Sequence, residues 1–169
     1  MMTPLFSRAL IFASTCHAET GRLRHWTDEP EIVHPIDVAM ILKRAGLTDE
    51  VTLAAAVLHD VVTYTSADLS NIERLFGWEV AALVQSVTSL KGETETERLI
   101  RLASADWKAQ AIKCADIISN CRDVATLSPA YAATYIPRKA RQVAVLSRAP
   151  ANLRRDADLA TRLDRLVMH

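Results

Sequence analysis

The sequence is poor in the residues that build turns, with only four Gly and six Pro in 169 residues. So few breakers argue against an all-β protein, and the many Ala, Leu and Arg residues favour helix. A disulfide framework is missing too. Cys16, Cys114 and Cys121 are odd in number and have no paired spacing, so they read as reduced, packed thiols in a cytoplasmic protein. Net charge is absent, with 20 Lys+Arg set against 20 Asp+Glu. A dedicated nucleic-acid binder would carry a net basic surface, so no nucleic-acid partner is expected, although a small anionic ligand is not excluded. No apolar run approaches the length of about 18 residues that spans a bilayer, so no membrane segment is expected. The opening MMTPLFSRALIFASTCHAE has no clear basic leader and reads as a first core helix.

What is present is half hydrophobic, and a chain of this length buries roughly 70% of the surface that its unfolded form exposes. The expectation is one all-α domain over residues 1–169, a bundle of about eight to ten helices. A first helix is expected from about Pro4 to Glu19, followed by a loop, TGRLRHWTDEPEIV, that carries two arginines and two rings. A second starts at His34-Pro35, where proline costs no hydrogen bond, and shows Val38, Ile41, Leu42 and Ala45 on one face before Gly46. From Thr48-Asp49-Glu50 a nearly all-apolar helix runs through LAAAVLHDVV, and its charged Asp60 needs a partner. Further helices are expected at Leu69 to Phe76, at WEVAALVQSVTSL ending near Lys91-Gly92, at GETETERLIRLAS, and at WKAQAIKCADIISNCRDVATL. In the last of these, Lys113, Asp116, Asn120 and Asp123 fall on one polar stripe. Two charged amphipathic helices, separated near Pro150, complete the chain and either pack on the domain or mediate a homodimer.

Four side chains suited to metal coordination sit at helix starts or in apolar helical surroundings: His34, His59, Asp60 and Asp116. Imidazole and carboxylate together suit a divalent ion such as Mn, Fe, Co or Zn, and a bound ion would neutralise carboxylates that are otherwise costly to bury. Each residue alone also has a plain structural reading: a helix cap for His34, a hydrogen-bonded pair for His59-Asp60, a paired carboxylate for Asp116.

The ordered set made of the His-Pro, AAAVLHD, ERLFGWEVAALVQSVT and KCADIISNCRDV resembles the HD-domain hydrolases of the RelA/SpoT group, whose single-domain members are the small alarmone hydrolases, including the Mesh1-type enzymes. The resemblance covers about residues 10–127 and is looser beyond. It implies that His34, His59, Asp60 and Asp116 bind a metal, usually Mn2+, that Lys113 and Asn120 hold the nucleotide, and that Arg22 or its rival Arg24 meets phosphate or base. His17 and Arg22 fall near the family's HxxQxR start, with Thr20 in place of Gln. The implied reaction is removal of the 3′-pyrophosphate from (p)ppGpp, or from an adenosine analogue such as (p)ppApp. One departure is central. The family's HDxxEDT is here His59-Asp60-Val61-Val62-Thr63-Tyr64-Thr65, so the catalytic positions Asp60, Thr63 and Tyr64 lack the Glu-Asp pair that orients or deprotonates water. Loss of such a group typically costs about 100- to 10,000-fold. Asp68, Glu19, Asp28 and Glu31 are the acids that could substitute. A nucleotide-sensing module without catalysis and a hydrolase of another phosphorylated nucleotide are the alternative readings.

Overall fold

A computed structural model describes residues 4–162 of the chain. Among them the regular elements are ten helices: α1 Leu5–Thr20, α2 Val33–Arg44, α3 Glu50–Leu58, α4 Val61–Tyr64, α5 Leu69–Phe76, α6 Trp78–Val87, α7 Glu95–Ser104, α8 Trp107–Leu127, α9 Pro129–Val145 and α10 Ala151–Ala160. The expected C-terminal helix beyond residue 162 and the start of the opening segment lie outside the described residues. No described helix is long and apolar enough to cross a membrane.

The bundle is organised around α3 and α8. Every residue from Thr52 to Leu58 is buried, as expected for a helix with apolar side chains on all sides, and α3 packs against α1, α2 and α6. α8 carries 21 residues, a length of about 32 Å at the usual helical rise, and packs against α2, α6, α9 and α10. The helix starts are fixed locally. Asp49 accepts from the Thr52 N–H at the start of α3, and reciprocal capping boxes join Asp68 to Asn71 and Thr94 to Glu97. Gly77, at φ +93°, takes a backbone conformation that lets α5 pass directly into α6.

Two boundaries differ from the expected ones. The helix through LAAAVLHDVV breaks at His59-Asp60 into α3 and α4, because the His59 ring Nδ1 donates to the Ala56 carbonyl at 2.7 Å and captures the acceptor that the Asp60 N–H would have used. α6 ends at Val87 rather than near Lys91-Gly92. Thr88 turns extended, its hydroxyl donates to the Val84 carbonyl at 2.7 Å, and Arg101 from α7 takes the Ser86 and Thr88 carbonyls.

The last two helices pack on the domain. Leu153 of α10 and Ile136 of α9 are almost wholly buried. Leu153→Ala is therefore expected to lower the unfolding free energy by about 2–5 kcal/mol, measured by urea denaturation and independent of protein concentration. A loss that scales with concentration would instead place α10 in a subunit interface.

Candidate metal centre and nucleotide cleft

Three helices deliver the four candidate ligands to one point. His34 lies at the start of α2, where the His34 N–H donates to the Glu31 carbonyl. His59 and Asp60 occupy the break between α3 and α4, so the break itself turns both side chains toward α8. Asp116 lies on α8, buried. The His34 Nε2 is 3.1 Å from Asp116 Oδ1 and 3.7 Å from Asp60 Oδ2, and the His59 Nε2 is 3.3 Å from Asp60 Oδ2 and 3.8 Å from Asp116 Oδ1. One donor atom each from His34, His59 and Asp60 lies within 4.8 Å of the others.

The fit of this set to a cation rests on how the remaining atoms are used. His59 spends its Nδ1 proton on the Ala56 carbonyl, and its buried Nε2 has no hydrogen-bond partner among the described residues. His34 is oriented through Nδ1 by the Ser119 hydroxyl at 3.1 Å. Fixing one ring nitrogen in this way aims the other at the common point, which is how ligating histidines are held. Asp116 is compensated on both oxygens, by Lys113 Nζ at 2.7 Å and Asn120 Nδ2 at 2.6 Å. Burial alone would raise the Asp116 carboxyl, but Lys113 and the imidazoles hold it well below its ordinary value. Burial works against charge on His59 and Asp60 too, yet each holds the other ionised, His59 upward and Asp60 downward. Without an ion, a proton on the imidazole balances the carboxylates. A divalent ion would take that place, so the donor set fits one.

The cluster forms the floor of a cleft of about 350 Å³. Of the residues named from the sequence, Arg22, Arg24, Thr63, Tyr64, Lys113 and Asn120 line it together with the four ligands. Their roles differ. The Arg24 guanidinium is buried against Asp123 of α8 at 2.6 Å, pinning the 21–31 loop to the bundle. Arg22 donates through Nε to Glu31 at 2.9 Å and lies 3.9 Å over the Tyr64 ring, while its two Nη groups make no hydrogen bond among the described residues. Of the four acids that could substitute for Glu-Asp, Glu31 lines the cleft. Asp68 caps α5, and Glu19 and Asp28 are exposed.

Several lining residues escaped the sequence reading. Trp26 and Tyr131 rings stand 4.8 Å apart, and Tyr131 and Tyr135 5.5 Å apart, giving one aromatic wall. Lys139, on the same helix, is the one lysine or arginine of the lining without a carboxylate in ion-pair distance among the described residues; burial and the neighbouring Lys113 lower it to about 8. Tyr131, Tyr135 and Lys139 recur at steps of four, which would have placed them on one face of α9. Thr88 and Ser89 complete the rim; Arg101 takes the Thr88 carbonyl and is itself held by the half-buried Glu93, whose carboxyl Arg101 and Arg98 bring down to about 2.

His17 lies buried in α1 with both ring nitrogens unpartnered among the described residues. Burial lowers it below the ordinary 6.5 despite the Asp60 and Glu31 carboxylates nearby. The folded protein therefore binds fewer protons than the unfolded chain as pH falls through the ordinary histidine range, and stability must fall with it. His17→Leu is expected to flatten the urea midpoint between pH 7 and 5, and an unchanged slope would contradict this. For the metal centre, a divalent ion at a hundredfold excess over its dissociation constant should add about 2.7 kcal/mol to stability. Asp60→Asn should remove most of the resulting thermal shift, and an equal shift in both proteins would place the ion elsewhere.

The HD domain family matches residues 9–143. A probable guanosine-3′,5′-bis(diphosphate) 3′-pyrophosphohydrolase of Synechocystis sp. is 39% identical over 135 residues, covering 74% of this chain but 17% of that protein. The chain thus spans less than a fifth of that relative's length. The guanosine-3′,5′-bis(diphosphate) 3′-pyrophosphohydrolase MESH1 of Drosophila melanogaster is 36% identical over 129 residues, covering 73% of this chain and 72% of that one. The solved structure of a metazoan ortholog of SpoT, which hydrolyses ppGpp, superposes with a TM-score of 0.86 at 31% identity and covers 96% of each chain.

Proposed function

The chain belongs to the HD-domain family, and we propose that it is a divalent-cation-dependent 3′-pyrophosphohydrolase acting on a purine nucleotide alarmone, (p)ppGpp or an adenosine counterpart. The observation that carries this reading is the meeting of His34, His59, Asp60 and Asp116 under a cleft that Lys139 and Arg22 also line. The relatives named above act on guanosine-3′,5′-bis(diphosphate), and the cleft has the parts such a ligand needs.

His34, His59, Asp60 and Asp116 would hold the ion, Mn2+ in our reading. The chemistry such an ion supplies when bound is polarisation of a phosphoryl oxygen and a lowered pKa for water. The protein's own side chains do the rest. Arg22, through its Nη groups, and Lys139 meet the phosphates as charge-assisted donors. Lys113 stays on Asp116, where it keeps that ligand ionised and adds positive potential at the floor. Asn120 bonds Asp116 and presents its remaining amide valence to the sugar or base. The Trp26–Tyr131–Tyr135 wall offers stacking faces for a purine. Thr63 and Tyr64 contribute shape. The Tyr64 phenol, pushed up to about 12 by burial and by Asp60, stays protonated and acts as a platform for Arg22.

A second reading, a module that binds the nucleotide without turning it over, is favoured by that same absence of a carboxylate at positions 63 and 64. Incubation with Mn2+ and ppGpp, pppGpp, ppApp or pppApp separates the two. The hydrolase reading expects release of pyrophosphate with the matching nucleoside 5′-diphosphate or 5′-triphosphate on ion-exchange chromatography, abolished by chelation. Tight binding without product establishes the sensor, and no binding to any of the four contradicts both.

A further inference from the structure

Hydrolysis of a phosphoester needs an acceptor for the proton that the attacking water loses as its oxygen bonds to phosphorus. Among the described residues, three carboxylates line the cleft: Asp60, Asp116 and Glu31. Asp60 and Asp116 are taken up by the imidazoles and the ion that they are built to hold. Asp116 in addition has Oδ2 on Lys113 and Oδ1 on Asn120. His25 also lines the cleft, but its ring is exposed and stacked edge-on against Trp26. Glu31 remains.

We propose that Glu31 is the general base of this cleft, an inference that rests on the hydrolase reading above. Its position argues for it in three ways. Its side chain is 9% exposed, so it is withdrawn from bulk water yet still faces the cleft. Its Oε2 is fixed by Arg22 Nε at 2.9 Å, which leaves Oε1 without a protein donor among the described residues. The third argument is the shape of the arginine. A guanidinium presents its donors as a rigid planar fork. Here its central carbon stands 3.9 Å from the centroid of the Tyr64 ring, with Nε on Glu31 and both Nη groups without a hydrogen bond among the described residues. A phosphate oxygen held at Nη would therefore share one guanidinium with the Glu31 carboxylate. One arginine places the phosphoryl group and the proton acceptor side by side, from the loop before α2 rather than from α4.

In the step this implies, the water oxygen forms a bond to the phosphorus that carries the 3′-oxygen, and the bond between that phosphorus and the 3′-oxygen breaks. The water proton passes to Oε1 of Glu31. The 3′-oxygen leaves and takes a proton from solvent, and Glu31 returns its proton to solvent. Pyrophosphate and the nucleoside 5′-diphosphate or 5′-triphosphate are released, and nothing is oxidised or reduced.

The test uses the full chain loaded with Mn2+ and the nucleotide on which the wild type is most active. Glu31→Gln keeps the shape and can still face Arg22, but cannot accept a proton. It is expected to lower kcat by about 100- to 10,000-fold, with Mn2+ content and nucleotide affinity by calorimetry little changed. Glu31→Asp keeps the carboxylate one methylene further back. It is expected to lose at least about tenfold in kcat through misplacement, and it carries the test if the Gln variant does not fold. A wild-type kcat in either folded variant overturns the proposal. So does weakened nucleotide binding at unchanged kcat, which would make Glu31 only a clamp on Arg22. A wild type that yields no pyrophosphate from any alarmone overturns the hydrolase reading and this inference together, whereas an active Gln variant overturns this inference alone.

Discussion

Two carboxylates and two imidazoles meet where α2, α8 and the α3–α4 break converge, and most of the molecule is arranged around keeping them there. Burying an ionised carboxylate costs several kcal/mol unless its charge is met. Asp116 meets that demand within α8 and α2, through Lys113, Asn120 and His34. Asp60 has only the two imidazoles, and the Nε2 of His59 has no hydrogen bond among the described residues. A divalent ion held by these side chains would meet both.

Above the floor, the cleft is assembled from elements that are far apart in the chain and held by polar ties. Arg24 on Asp123 anchors the 21–31 loop. Arg101, bound to Glu93 and to the Ser86 and Thr88 carbonyls, holds the turn after α6 at the rim. α9 brings an aromatic wall and Lys139. The result reconciles a neutral chain with an anionic ligand. Among the cations that line the cleft, Arg24 and Lys113 are matched by Asp123 and Asp116, and the donors left open are Lys139 and the Nη groups of Arg22.

Much of this was legible in the residues themselves. The stripe Lys113, Asp116, Asn120 and Asp123 follows from helical spacing alone, and the structure uses all four at or beside the cleft. The helix start at Asp49 is written in its capping residue, whereas the caps at Asp68 and Thr94 emerge from the structure. What could not be read depends on contacts made in three dimensions. The break at His59 arises from a ring nitrogen competing for a carbonyl, and propensity favours an unbroken helix there. The early end of α6 depends on an arginine in α7. Glu31 was one of four acids with equal claims until Arg22 and Arg24 fixed the loop that carries it. Tyr131, Tyr135 and Lys139 had the spacing of a common face, but nothing local indicates that this face closes a cleft.

Whether the buried cluster holds one divalent cation is decided by a crystal grown with Mn2+ and the anomalous difference map recorded at the manganese edge. A single strong peak per chain is expected, contacted by the Nε2 atoms of His34 and His59 and by the carboxylates of Asp60 and Asp116. A cluster that keeps its present hydrogen bonds with no peak among these four side chains, while Mn2+ binds elsewhere or not at all, would contradict it.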